Sequence, residues 1–309
     1  MRSLVGISLL MVAAAVGEAV GQSLPGAPEL RLLFAFGSEG DQPGQFRNPM
    51  GLAIDLDGNV YVADTGNNRI QKFDRHGRFL KQIGGFGWGR EQFDRPVDIC
   101  ASAGLDVFVA DYNNERIERY DSHLNYISSY YADESQDETL RFGFPLSVAL
   151  SRHGELFLVD GENRRLLKIN SFGVPELSFG DFRWAQGRLE RPAQVALSTK
   201  DLVYVGDAGA GCVLVYDYSG NFIRKLGVEL LRAPTGVSVD SRGRVWVADT
   251  GNDRIVAFSP EGNLLGQWGA RGDKLGAFKR PSDVAVGAGR VYVLDGGNCR
   301  VQVFELSGQ

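Results

Sequence analysis

The chain has 309 residues, 43% of them hydrophobic, with 40 glycines and a formal net charge of −5. That apolar content is enough for a packed core and excludes a disordered chain, while the glycines call for many turns. With no basic stripe in an acidic chain, the electrostatic footprint on which nucleic-acid affinity rests is missing, so no DNA or RNA partner is expected.

In chain order, residues 1–22 stand apart. Arg2 forms a short basic start, residues 4–16 are almost wholly apolar, and Gly17, Ala19 and Gly21 offer small residues for cleavage. This reads as a secretory signal peptide rather than as a first helix of the domain. The apolar run falls short of the roughly 20 residues a membrane span needs, and no other segment approaches that length. A secreted or periplasmic protein is expected, without membrane insertion after signal removal, with residues 23–309 as one domain.

Residues 32–37, LLFAFG, come next and resemble two later segments, FLKQIG at 79–84 and LLGQWG at 264–269. The clearest repeating unit occupies 49–84. Its short apolar runs, separated by Gly, Asp and Asn, predict four strands, a to d, near 51–55, 60–63, 69–73 and 79–83. Prolines at 49, 96, 145, 192, 234 and 281 recur at spacings of 47, 49, 47, 42 and 47 residues. An aspartate follows each, namely Asp64, Asp111, Asp160, Asp207, Asp249 and Asp295. Four-stranded units at such a period are the blades of a propeller, because one blade cannot bury both of its faces alone. The expected fold is therefore all-β, a six-bladed β-propeller of four-stranded antiparallel blades. The sixth repeat ends after strand c, so the segment at 32–37 is expected to supply its missing outer strand and remove an open sheet edge.

The residues DTGNNRI at 64–70 resemble the NHL repeat, and the pattern Asp-x-x-Asn-x-Arg continues as Asp111/Asn114/Arg116, Asp160/Asn163/Arg165, Asp249/Asn252/Arg254 and Asp295/Asn298/Arg300. The fourth repeat departs from it, with Ala210 and Cys212 in place of Asn and Arg. The resemblance implies the propeller fold and leaves function open, since such propellers serve as lyases, sensors, RNA-binding modules and scaffolds. The six aspartates, with Arg69, Arg116, Arg165, Arg254 and Arg300, are expected to be structural. The aspartate accepts backbone N–H bonds in the turn between strands b and c, and the arginine pairs with it.

Two places are candidates for function. Two residues beyond the prolines stand Gly51, Asp98, Ser147, Gln194, Gly236 and Asp283. By analogy with other propellers these begin strand a at the channel mouth, where Asp98, Gln194 and Asp283 converge from three blades. Related lactonases and esterases hold calcium at that place, and calcium favours such oxygen donors; the other reading is that these side chains only cap strand ends. The loops between blades carry aromatics: Phe86 and Trp88, then Tyr130 and Tyr131, then Phe182 and Trp184. An acidic stretch (Asp133, Glu134, Asp137 and Glu138) in the second loop faces Arg183, Arg188 and Arg191 around the third. Rigid scaffolds bind through such loops, although each aromatic can instead pack back on its blade.

The three histidines, His76, His123 and His153, fall in turns away from the channel mouth, which counts against the histidine-held zinc of the family's amidating lyase. Cys100 reads as a buried strand residue, and Cys212 and Cys299 lie in turns of blades four and six, too far apart to bridge. The expected function is a monomeric extracytoplasmic module that recognises a protein, peptide or glycan, with no required cofactor. The alternative is a calcium-dependent lactonase or esterase.

Overall fold

The computed structural model describes residues 21–23, 27–101, 105–132 and 137–307. Most of the expected signal peptide and residues 133–136 of the acidic loop lie outside the described residues. The strands form six antiparallel sheets around a central channel. In blade one, strands a to d are Gly51–Ile54, Val60–Asp64, Arg69–Phe73 and Phe79–Gly84. Among the described residues, no helix is long and apolar enough to cross a membrane.

Burial follows position in the blade. Strand b is covered on both faces by neighbouring blades, and Val60–Asp64, Leu156–Asp160 and Val245–Asp249 are buried throughout. Strands of this kind read as near-continuous apolar runs rather than alternating ones. Each of the six apolar clusters spans two blades. Tyr61 and Ile70 of blade one, for example, pack with Ile99 and Val109 of blade two. Trp268 belongs to such a cluster and stacks on Trp246 with ring centroids 5.4 Å apart.

The ring closes through the N-terminal strand. Blade six takes Asp283–Gly287, Arg290–Asp295 and Arg300–Ser307 from the end of the chain and Glu29–Phe36 from its beginning. Leu32 pairs with Phe304, Phe34 with Val303 and Phe36 with Val301. A further short strand, Gly21–Ser23, adds to the outer edge of blade five, with Gly21 opposite Trp268.

The repeated Asp and Arg act over a longer range than a single turn. Asp64 accepts from the backbone N–H of Arg47, in the loop that enters the blade, and from Asn67 Nδ2 and Arg69 Nε. The other nitrogens of Arg69 donate to the carbonyls of Asp41, Gln42 and Gln45 in the same loop. Each pair thus clamps the loop arriving from the previous blade onto the turn between strands b and c. Arg116 holds the carbonyls of Trp88, Gly89 and Gln92 in the same way. In blade four the arginine is absent, and Asp207 is satisfied by the backbone N–H groups of Glu190, Arg191, Gly209 and Ala210. Cys212 occupies the arginine position as the first, buried residue of strand Cys212–Tyr216 rather than as part of the turn. The turn's fourth residue beyond the aspartate is left-handed in every blade, and only blade four places glycine there, Gly211 with φ +62°.

Candidate functional site at the channel mouth

The innermost strands leave one edge of each blade facing the channel, and the side chains two beyond each proline close that edge. Asp98 accepts from the N–H of Val148 in the next blade, Ser147 from Val195, Gln194 from Val237, and Asp283 from Leu52 across the ring closure. The remaining two blades carry glycine. A Cβ on Gly51 would sit 2.7 Å from the Asp98 Cα, and one on Gly236 would sit 2.6 Å from the Asp283 Cα. There the following aspartate serves its own strand, Asp98 accepting from Ile99 N–H and Asp283 from Val284 N–H. All six inward N–H groups are therefore satisfied, which a buried backbone donor requires.

Across this ring the Gln194 amide joins the two acids, its Nε2 lying 3.1 Å from Asp98 Oδ1 and 3.0 Å from Asp283 Oδ2. The structure thus brings Asp98, Gln194 and Asp283 together. Burial pushes the Asp98 carboxyl up to about 6. It raises Asp283 well above the ordinary carboxylate range, and the neighbouring Asp98 charge adds to that.

This donor set does not fit calcium. The ion takes six to eight oxygens, yet the Gln194 oxygen is committed to the Val237 N–H, which leaves its NH2 group aimed between the carboxylates. Turning the amide over would set its NH2 against a backbone N–H, a donor against a donor. Among the described residues, no group of three or more His, Cys, Asp or Glu is placed to hold a metal. His76, His123 and His153 all lie in turns on the opposite face, between strands c and d or a and b.

Above the ring a cavity of about 500 Å³ opens to the face that carries the interblade loops. Arg95, Arg191 and Arg280 line it, with Asp98 and Gln194 at its floor. Sequence reasoning missed Arg95 and Arg280. The available signal was their place immediately before Pro96 and Pro281, on the same alternate blades as the polar triad and three residues ahead of it.

The five loop residues divide. Trp88 is 79% exposed and Tyr131 is 54% exposed, with the Tyr131 hydroxyl accepting from Arg116 Nη1. Tyr130 turns inward onto Phe108, and Trp184 packs on the core shared by blades three and four. Arg183 is held by Asp181 through its Nε at 2.9 Å. Phe86 and Phe182 stand as open as Trp88.

Comparison with known proteins agrees with this architecture. The sequence profile of the NHL repeat matches residues 46–73, 93–120, 231–258 and 278–304. The chain is therefore a six-bladed β-propeller in which blades one, two, five and six carry matches to the NHL repeat. It is similar to protein brain tumor of Drosophila melanogaster, with 49% identity over 49 residues, 16% of this chain and 5% of that protein. The chain thus matches only a small part of such curated relatives. Among solved structures it is similar to a gluconolactonase from Xanthomonas campestris, at TM-score 0.67 and 14% identity over 96% of this chain and 99% of the other. A virginiamycin B lyase from Staphylococcus aureus also superposes, at TM-score 0.58 and 13% identity over 85% of each chain. At these identities the likeness is one of fold.

Proposed function

We propose that this propeller is an extracytoplasmic recognition module that binds a protein, peptide or glycan through its loop-bearing face. The observation that carries the reading is a division of labour among polar and aromatic groups. The channel carboxylates and amide are consumed in satisfying the ring, whereas Phe86, Trp88 and Phe182 are left open on the loops, at 69%, 79% and 77% exposure. Aromatic anchors on a rigid scaffold are what binding surfaces use. The test is a pull-down from the native envelope fraction with wild type and a Trp88→Ala/Phe182→Ala variant. Partner recovery is expected to fall sharply in the variant, and unchanged recovery would overturn the assignment of this surface.

A second reading, a lactonase or esterase that works without the calcium expected from the sequence, has one observation in its favour: Asp98, whose carboxyl burial pushes up to about 6, stands at the floor of a ligand-sized cavity. Turnover of simple lactones by the purified protein would establish it.

A further inference from the structure

Arginines cluster on the upper face around blade four, and they point to what lies there. Beside the channel-mouth cavity is a second one of about 500 Å³, lined by Arg164, Arg188, Glu190, Arg191 and Gly209. Arg191 lines both, so the two run into each other over blade four. A third cavity shares Arg164 and Arg188 with the second and carries the track outward to Phe182 at the rim. The turn between strands b and c of blade four forms the floor of the inner passage. Ala208 and Gly209 line it, and a Cβ on Gly209 would sit 2.9 Å from the Arg191 nitrogen, so its bare floor is required by the loop pressed against it.

The arginines along the inner part of this track are unpaired, whereas the outer cavity also carries the acids Glu138, Glu162 and Asp181, the last of them bound to Arg183. The Arg164, Arg188 and Arg280 guanidinium groups make no hydrogen bond or ion pair among the described residues, and Arg191 donates only to the Ala208 carbonyl. Glu190 stands on the same wall without pairing to any of them. Elsewhere in the chain arginines are mostly spent, on clamps such as Arg69 or on surface pairs such as Arg119 with Asp106. A row of unspent guanidinium groups in a chain of net charge −5 is a local positive field suited to carboxylates, which arginine binds in a bidentate manner.

We infer that this groove binds an extended acidic peptide segment of a partner, running from the rim at Phe182 across blade four to the channel mouth. The inference rests on the proposed use of this face for recognition and names the chemistry of the occupant. Single-stranded nucleic acid fits less well, because its binding needs aromatic platforms for the bases, and neither of the two inner cavities is lined by an aromatic residue. Pro49, Met50, Val97 and Leu146 at the mouth supply instead an apolar wall for a peptide side chain.

The experiment is fluorescence anisotropy with a labelled octaglutamate peptide. Wild type is expected to bind it saturably, and an Arg164→Ala/Arg188→Ala variant to bind at least about tenfold more weakly, since each lost charge pair reduces affinity. Arg271→Ala, which removes an exposed arginine from the loop before blade six, is the control and is expected to leave binding unchanged. Equal loss in the control, no saturable binding, or tighter binding of an oligouridylate of matched charge would each overturn the inference. Because neither groove arginine has a partner, both variants are expected to keep the wild-type melting temperature, and that measurement excludes misfolding as the cause. If octaglutamate fails while Trp88→Ala/Phe182→Ala still abolishes partner recovery, the face binds something other than an acidic segment and the broader reading stands.

Discussion

At the scale of single residues, blade two carries an acid where blades one and six carry an amide. In blades one and six, Gln71 and Gln302 donate to the clamp aspartates Asp64 and Asp295 and to a loop carbonyl, and accept from a loop N–H. Glu118 takes that place beside Asp111, fully buried, contacting Arg116 Nη2 at 3.1 Å and accepting from the Tyr120 hydroxyl. Burial raises its carboxyl from 4.5 to about 7, against the pull of Tyr120 and Arg116. An acid raised by folding contributes its full stability below the unfolded value and loses it as pH rises through the folded one. Glu118→Gln is thus expected to melt higher than wild type at pH 8, by about 2–6 °C for about 1–2 kcal/mol. At pH 5 the gap should shrink toward zero, and thermal melts across pH 4.5–8.5 measure it. The clamp itself behaves differently. Arg69→Met removes one partner from a buried pair and frees three loop carbonyls, so it is expected to cost about 3–5 kcal/mol in urea denaturation. Blade four shows the alternative solution, an aspartate fed by four backbone N–H groups with no arginine.

At the scale of strands, the two N-terminal segments are not equivalent. Glu29–Phe36 fills the outer place of blade six, with Leu30 and Leu32 in the core between blades five and six. Gly21–Ser23 only extends a blade already four strands wide. A chain beginning at residue 24 is expected to elute as the full chain does and to melt within a few degrees of it. A chain beginning at residue 37 bares the long edge Arg300–Ser307 and is expected to elute as aggregate in size-exclusion chromatography. Monomeric elution of that shorter chain with an unchanged melt would contradict the closure. Strand alternation also decides the neighbours Tyr130 and Tyr131: successive side chains point to opposite faces, so one packs on Phe108 and the other faces outward.

At the scale of the whole ring, added calcium is expected to leave the melting temperature unchanged, because no oxygen of the polar triad is free for it; a concentration-dependent rise would show an ion binding the folded state. Much of this architecture could be read from the chain. The periodic Pro and Asp marked six blades, and blade four kept both, Pro192 and Asp207, after losing its Asn and Arg. What escaped were relations made only by the circle. Gln194 meets Asp98 and Asp283 across 96 and 89 residues of chain, and no local pattern shows which of its ends faces the acids. The reach of each clamp into the preceding loop and the way Trp184 folds back were hidden for the same reason, since loop packing depends on the neighbouring blade. The pairing of Glu29–Phe36 with Arg300–Ser307 has a temporal side as well. Glu29–Phe36 acquires its partner only once residues 300–307 exist, so a nascent chain carries that unmatched strand while all the intervening blades are made, and closure of the ring must await its partner. Splicing residue 307 to residue 29 and placing new termini in another interblade loop would turn that distant pairing into a hairpin, and such a permutant is expected to refold faster to the same stability.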